Sequence, residues 1–166
     1  MKRKKYRIRI YNGGQKNIGL EKKVKHNQVG FKASTKLTME QYQLIIGGNY
    51  EALKASSEEE LIREFCLDGI QRKLKPKVIV DYDRQTFVYH YGDVRVTFDH
   101  DVRHSTNGRD LFADNTLYVP ALGPNQVVLE VKYTGFLPEH VKKLVQQNVA
   151  KRQSVSKYTL CRSKYY

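Results

Sequence analysis

The chain has 166 residues, 40% of them hydrophobic, which is enough to bury one core and too apolar for a disordered segment. A formal net charge of +13 directs attention to anionic partners: nucleic acid, phosphate chains, nucleotides or an acidic membrane surface. Two isolated cysteines, Cys66 and Cys161, with no Cys-x-x-Cys pair, argue against a disulfide framework or a zinc site and read as free thiols in a reducing compartment.

The basic start MKRKK is followed by YRIRIYNGG rather than by an apolar core of about seven or more residues, so it does not read as a signal peptide. No stretch approaches the roughly 18 apolar residues that cross a bilayer. A cytoplasmic chain without membrane insertion is expected.

A first strand is predicted over 5–12, closed by the turn Asn12-Gly13-Gly14. Strands at about 17–25 and 28–37, joined at His26 and Asn27, complete a β-meander. Thr38 and Gln41 form a capping box at the start of a helix that Gly47-Gly48 stops. Ser56 and Ser57 open a second helix with an acidic first turn, Glu58 to Glu60. Its apolar side is Leu61, Ile62, Phe65, Cys66 and Ile70, and Pro76 ends it.

Strands are predicted at about 77–83, 86–91 and 94–102, then a polar loop from His104 to about Asn115. A strand at about 126–133 leads to a helix from Pro138 to about Asn148, and the tail SVSKYTLCRSKYY fits either extended chain or helix. The pattern predicts a single α+β domain over 1–166, rich in antiparallel strands, with helices between groups of strands.

Five segments place charges on alternate residues. They are Arg7 and Arg9; Glu21, Lys23 and Lys25; Asp81 and Asp83, followed by Arg84; Arg95, Asp99, Asp101 and Arg103; and Glu130 and Lys132. Strand side chains alternate faces, so each segment presents a charged face backed by an apolar one. Each pair has an ordinary reading as an exposed edge or a cross-strand ion pair. Their recurrence points instead to a polyanion site. The five histidines show no metal-ligand spacing. Tyr6, Tyr82, Tyr89 and Tyr133 read as wall residues under helices, or alternatively as stacking platforms for RNA.

The strings YRIRIYN, LEKKVK, VDYDR with VRVTFDHDVR, LEVKY and the closing Ser156-Lys157-Tyr158 occur in an order that resembles the VTC domain, the polyphosphate polymerase domain of the triphosphate tunnel (CYTH-like) superfamily. The resemblance implies an eight-stranded antiparallel barrel whose lumen holds the triphosphate of ATP or a polyphosphate chain. It also implies Arg7, Arg9, Lys23, Arg84, Arg95 and Lys157 as the bases that bind phosphate and carry catalysis, with Lys132 beside them in the substrate site. Glu130 is the implied ligand of Mn²⁺ or Mg²⁺, with Glu21 a second carboxylate and Asp99 a third.

ATP-dependent polyphosphate synthesis is the implied activity. Triphosphate hydrolysis and non-catalytic binding of polyphosphate or RNA stand as alternatives, nucleic acid being the less favoured ligand. The family's first strands, including a Glu-x-Lys strand, have no counterpart before Arg7, so the barrel is expected to be incomplete and its open edges to favour a homodimer.

Overall fold

The computed structural model describes residues 2–26, 29–147 and 154–163. Their backbone divides into two compact units, Met1–Lys77 with Arg109–Ala113, and Val78–Gly108 with Asp114–Tyr166.

In the first unit, β1 (Lys2–Arg9), β2 (Ile18–His26) and β3 (Val29–Leu37) form an antiparallel meander. The predicted joint at Asn27 lies outside the described residues. Cross-strand register sets Ile8 against Leu20 and Ile18 against Leu37, so one face is apolar. On that face lie α1 (Met39–Ile46), α2 (Tyr50–Ala55) and α3 (Glu60–Arg72), which contribute Tyr42, Ile45, Tyr50, Leu53, Ile62, Phe65 and Cys66 to the core. Each such apolar side chain contributes about 1.5–3 kcal/mol on burial.

The capping box at the start of α1 forms as predicted, with Gln41 N–H donating to Thr38 Oγ1 and Thr38 N–H to Gln41 Oε1, both at 3.1 Å. The short helix α2 goes unpredicted, and it is capped by Asn49, whose Oδ1 accepts from Ala52 N–H at 3.2 Å. Ser56 closes α2 rather than opening α3, and α3 begins at Glu60. It stops at Arg72, before Pro76, because Lys73 takes a left-handed conformation with φ 50°. Ile70 is exposed, and Gly69 lies against the Tyr50 ring in its place.

Two lysines on the helix-facing side of the sheet are absorbed by carboxylates of α3. Lys4 donates to Asp68 at 2.6 Å and to Glu64 at 2.9 Å, Lys22 donates to Glu64, and the Tyr6 hydroxyl donates to Asp68 at 2.6 Å.

In the second unit, β5 (Val94–Ser105) is central. It pairs antiparallel with β4 (Val80–Tyr89) on one side, and on the other with β6 (Tyr118–Pro120) near one end and β7 (Val128–Lys132) near the other. The two strands predicted at 77–83 and 86–91 are therefore one, since Asp83-Arg84-Gln85 continues the ladder instead of turning. Helices α4 (Glu139–Gln147) and α5 (Lys157–Ser163) follow, and Cys161 of α5 is buried with Val102 and Ala121. The unexpected β6 covers part of the segment after the predicted polar loop.

A bulge interrupts the expected alternation of β5. The register shifts between Asp81 and Asp83, opposite Asp101, whose φ is 48°. Consequently Arg95, Asp99, Asp101 and Arg103 do not share one face, because an extra residue reverses the parity that follows it. Arg103 instead pairs with Asp81 at 2.6 Å and lies over the Tyr118 ring.

Strand pairing among the described residues gives one three-stranded and one four-stranded sheet, and no closed barrel. No helix among them is long and apolar enough to cross a membrane.

Candidate polyanion-binding faces

The second unit builds its charged face around a carboxylate. Asp99 is fully buried, and an isolated anion there would be costly to desolvate. Arg84, its cross-strand partner, donates from Nε to Oδ1 at 2.6 Å and from Nη2 to Oδ2 at 2.8 Å. Lys157, the first residue of α5, forms a second ion pair with Oδ2. Both cations also lie over the Tyr82 ring, Arg84 at 5.2 Å and Lys157 at 4.9 Å from its centroid. Tyr82 is thus a floor for cations as well as a wall residue packed against the cluster that contains Cys161 of α5.

Burial alone would raise the Asp99 carboxyl, but the hydrogen bonds from Arg84 and Lys157 outweigh it and hold the group below its ordinary value. The bond to Asp99 holds the Arg84 guanidinium above its usual value despite its own desolvation. Two of the five N–H donors of Arg84 are committed to Asp99, which fixes the plane in which the rest are presented. Arg84 therefore lies within a strand, on a seat, and not beside a turn.

Farther along the same face, Thr97 stands opposite Thr86 on β4 and Glu130 on β7, and Arg95 opposite Val88 and Lys132. Glu130 is half-exposed and pairs with Lys132 at 3.2 Å. The Thr97 hydroxyl is buried with no hydrogen-bond partner among the described residues. This face therefore brings together five predicted residues, Arg84, Arg95, Glu130, Lys132 and Lys157, with Asp99 as their anchor.

The first unit carries the rest of the predicted set. The sheet face opposite its core presents Arg7 and Arg9 on β1, Glu21 and Lys23 on β2, and, unpredicted, Lys32 and Lys36 on β3. Glu21 accepts from Arg7 Nε at 3.1 Å and pairs with Lys32 at 3.3 Å and Arg9 at 3.7 Å. Burial raises its carboxyl, and the bonds from Arg7 and Lys32 more than reverse that, leaving it below its ordinary value. Arg9 also stacks over Tyr11, 4.6 Å from the ring centroid.

One row sets Lys5 opposite Lys23 and Lys23 opposite Lys32. Like charges placed directly across a ladder destabilise it, so this row is an energetic cost that a bound anion would offset. The β3 lysines carry a usable signal in the sequence, since Lys32 and Lys36 repeat with even spacing within the predicted third strand.

Antiparallel sheets combined with helices make this an α+β protein. The VTC domain model matches residues 1–166, and the chain belongs to the VTC domain family, which associates it with polyphosphate-related function. No curated protein and no solved structure matches it.

Proposed function

We propose that the protein binds triphosphate or polyphosphate with Mn²⁺ or Mg²⁺ and transfers the γ-phosphate of ATP to a growing polyphosphate chain. The observation that carries this reading is the Asp99 seat. A buried carboxylate and an aromatic ring hold two cations from distant parts of the chain on one face, beside Arg95 and Lys132.

A triphosphate exchanges its hydration for such groups only if they are fixed beforehand, and Arg supplies paired donors that match phosphate oxygens. Positioning and neutralisation of the transferred group supply most of the catalysis in phosphoryl transfer. In this reading Arg84 and Lys157 hold the phosphate chain and Arg95 and Lys132 continue the contact along the sheet.

No three His, Cys, Asp or Glu side chains among the described residues cluster as a cage for a cation. Mg²⁺, however, commonly takes one or two carboxylates and completes its shell with water and substrate oxygens. Half-exposed Glu130, across the ladder from the unpartnered Thr97 hydroxyl, fits that requirement. Glu21 fits less well, since Arg7, Arg9 and Lys32 already converge on it. A bound ion would supply charge neutralisation of the phosphate oxygens.

The test is calorimetric titration of tripolyphosphate with Mn²⁺ present, comparing the wild type with Arg84→Ala. A loss of at least about tenfold in affinity is expected, from removal of a charge-assisted bidentate contact. Equal affinities would overturn the assignment of this face. Incubation with ATP and Mn²⁺, followed by detection of lengthening polyphosphate, tests the transfer step.

A further inference from the structure

Two copies of a chain with a net charge of +13 repel one another, so self-association needs a surface without charge. The sheet edges differ in this respect. Strand β1 carries six cations in eight residues, and β3 carries Lys32 and Lys36. Strand β6 is three residues long and ends in Pro120, and β7 carries Glu130 and Lys132. Charges, proline and short length are what keep an exposed edge from pairing.

The outer edge of β4 lacks these guards over its second half. Strand β5 pairs with one side of β4, and among the described residues no strand pairs with the other. Residues 85–91 read QTFVYHY and contain no Asp, Glu, Lys or Arg. Phe87 is 52% exposed and Val88 64%, and Tyr89 and Tyr91 are exposed beside them. Two of the rings are nevertheless held in place: Phe87 meets Phe98 edge-on at 5.9 Å between centroids, and Tyr89 meets His140 edge-on at 5.1 Å. An ordered edge with open backbone N–H and C=O groups loses little further freedom when a strand is added to it.

We propose that β4 pairs with β4 of a second copy of this chain, antiparallel across a two-fold axis at Phe87. Charge selects that register. It sets Gln85 opposite the second copy's Tyr89, Thr86 opposite Val88 and Arg84 opposite His90, so no like charges meet. Centring on Thr86 would set Arg84 against Val88 and Asp83 against Tyr89, and centring on Val88 would bring Asp83 toward Asp93. The axis is perpendicular to the sheet, so the Asp99 faces of both copies lie on one side of the joined sheet. The pairing does not depend on the phosphate-binding reading.

Sedimentation velocity of the full chain over a range of concentrations, with Phe87→Lys and Phe87→Glu beside the wild type, tests it. The wild type is expected to reach twice the mass of either variant, since each variant sets like charges across the axis. Mixing the two variants sets opposite charges there and is expected to restore the doubled mass. A wild type that keeps the mass of one chain, a dimer that neither substitution dissociates, or a mixture that stays monomeric overturns the pairing. Hydrogen exchange of the wild type gives a measurement that needs no variant. The outward amides of 85–89 are expected to exchange more slowly as concentration rises, and rates independent of concentration overturn the proposal.

Discussion

The Arg84 guanidinium lies across both carboxylate oxygens of Asp99, at 2.6 and 2.8 Å, and this pair organises the charged face of the second unit. Asp99→Asn would remove the charge that balances Arg84 and Lys157 while nearly conserving volume. We expect a loss of about 3 kcal/mol, the scale for breaking a buried pair and leaving charges unpaired. Urea denaturation measures it, and a change below a few tenths would contradict the seat.

The pH dependence of stability follows from four carboxylates. Asp99, Asp68, Glu64 and Glu21 are each raised by burial and lowered further by their cationic partners, with a net value below the ordinary one. A folded value below the unfolded value gives stability that is present above the unfolded range, about 3.9–4.3, and lost as pH falls through the folded values. The urea midpoint should hold from pH 7 to 5 and drop below about pH 4. Lys4 acts in the opposite direction: bonds from its ammonium to Asp68 and Glu64 raise it above 10.5, so its contribution is present below that pH and lost as pH rises through the folded value.

Gly69→Ala separates two effects of opposite sign. Ala favours a helix over Gly by about 1 kcal/mol. The new Cβ, however, would sit 2.7 Å from the Tyr50 ring, whose hydroxyl is tied to Leu74 carbonyl oxygen at 2.7 Å. Overpacking costs about 1–3 kcal/mol, so we expect a net loss of about 1 kcal/mol in chemical denaturation. A more stable variant would show that Tyr50 yields.

Lys23→Gln relieves the lysine row of the first unit. We expect a small rise in urea midpoint at low salt, fading as salt screens the repulsion, together with weaker polyphosphate binding. A variant that binds polyphosphate as the wild type does would remove Lys23 from the ligand set.

Local signals proved legible. The Thr38–Gln41 cap, the meander and the parity that groups Arg7 with Arg9 all follow from short-range spacing. The polar triplet Asp83-Arg84-Gln85 resembles a turn because the side chain that neutralises Arg84 belongs to another strand. The seat shared by Asp99, Lys157 and Tyr82 joins residues remote in sequence, so no window along the chain contains it. Helix α2 escaped notice because it lies between the Gly47-Gly48 stop and Ser56, too short to show a period.

The bulge at Asp101 lets one strand serve two constituencies. Before it, Arg95, Thr97 and Asp99 share the charged face with Arg84, Glu130 and Lys132. After it, Val102 joins Cys161 in the core while Arg103 turns to Asp81 and Tyr118. That single inserted step is a reading-frame change in space. An uninterrupted count from Asp99 would set Arg103 on its side of the strand; the inserted residue puts Val102 and His104 there instead, level with Tyr82 and Val80, so that core side chains and not a cation continue that face.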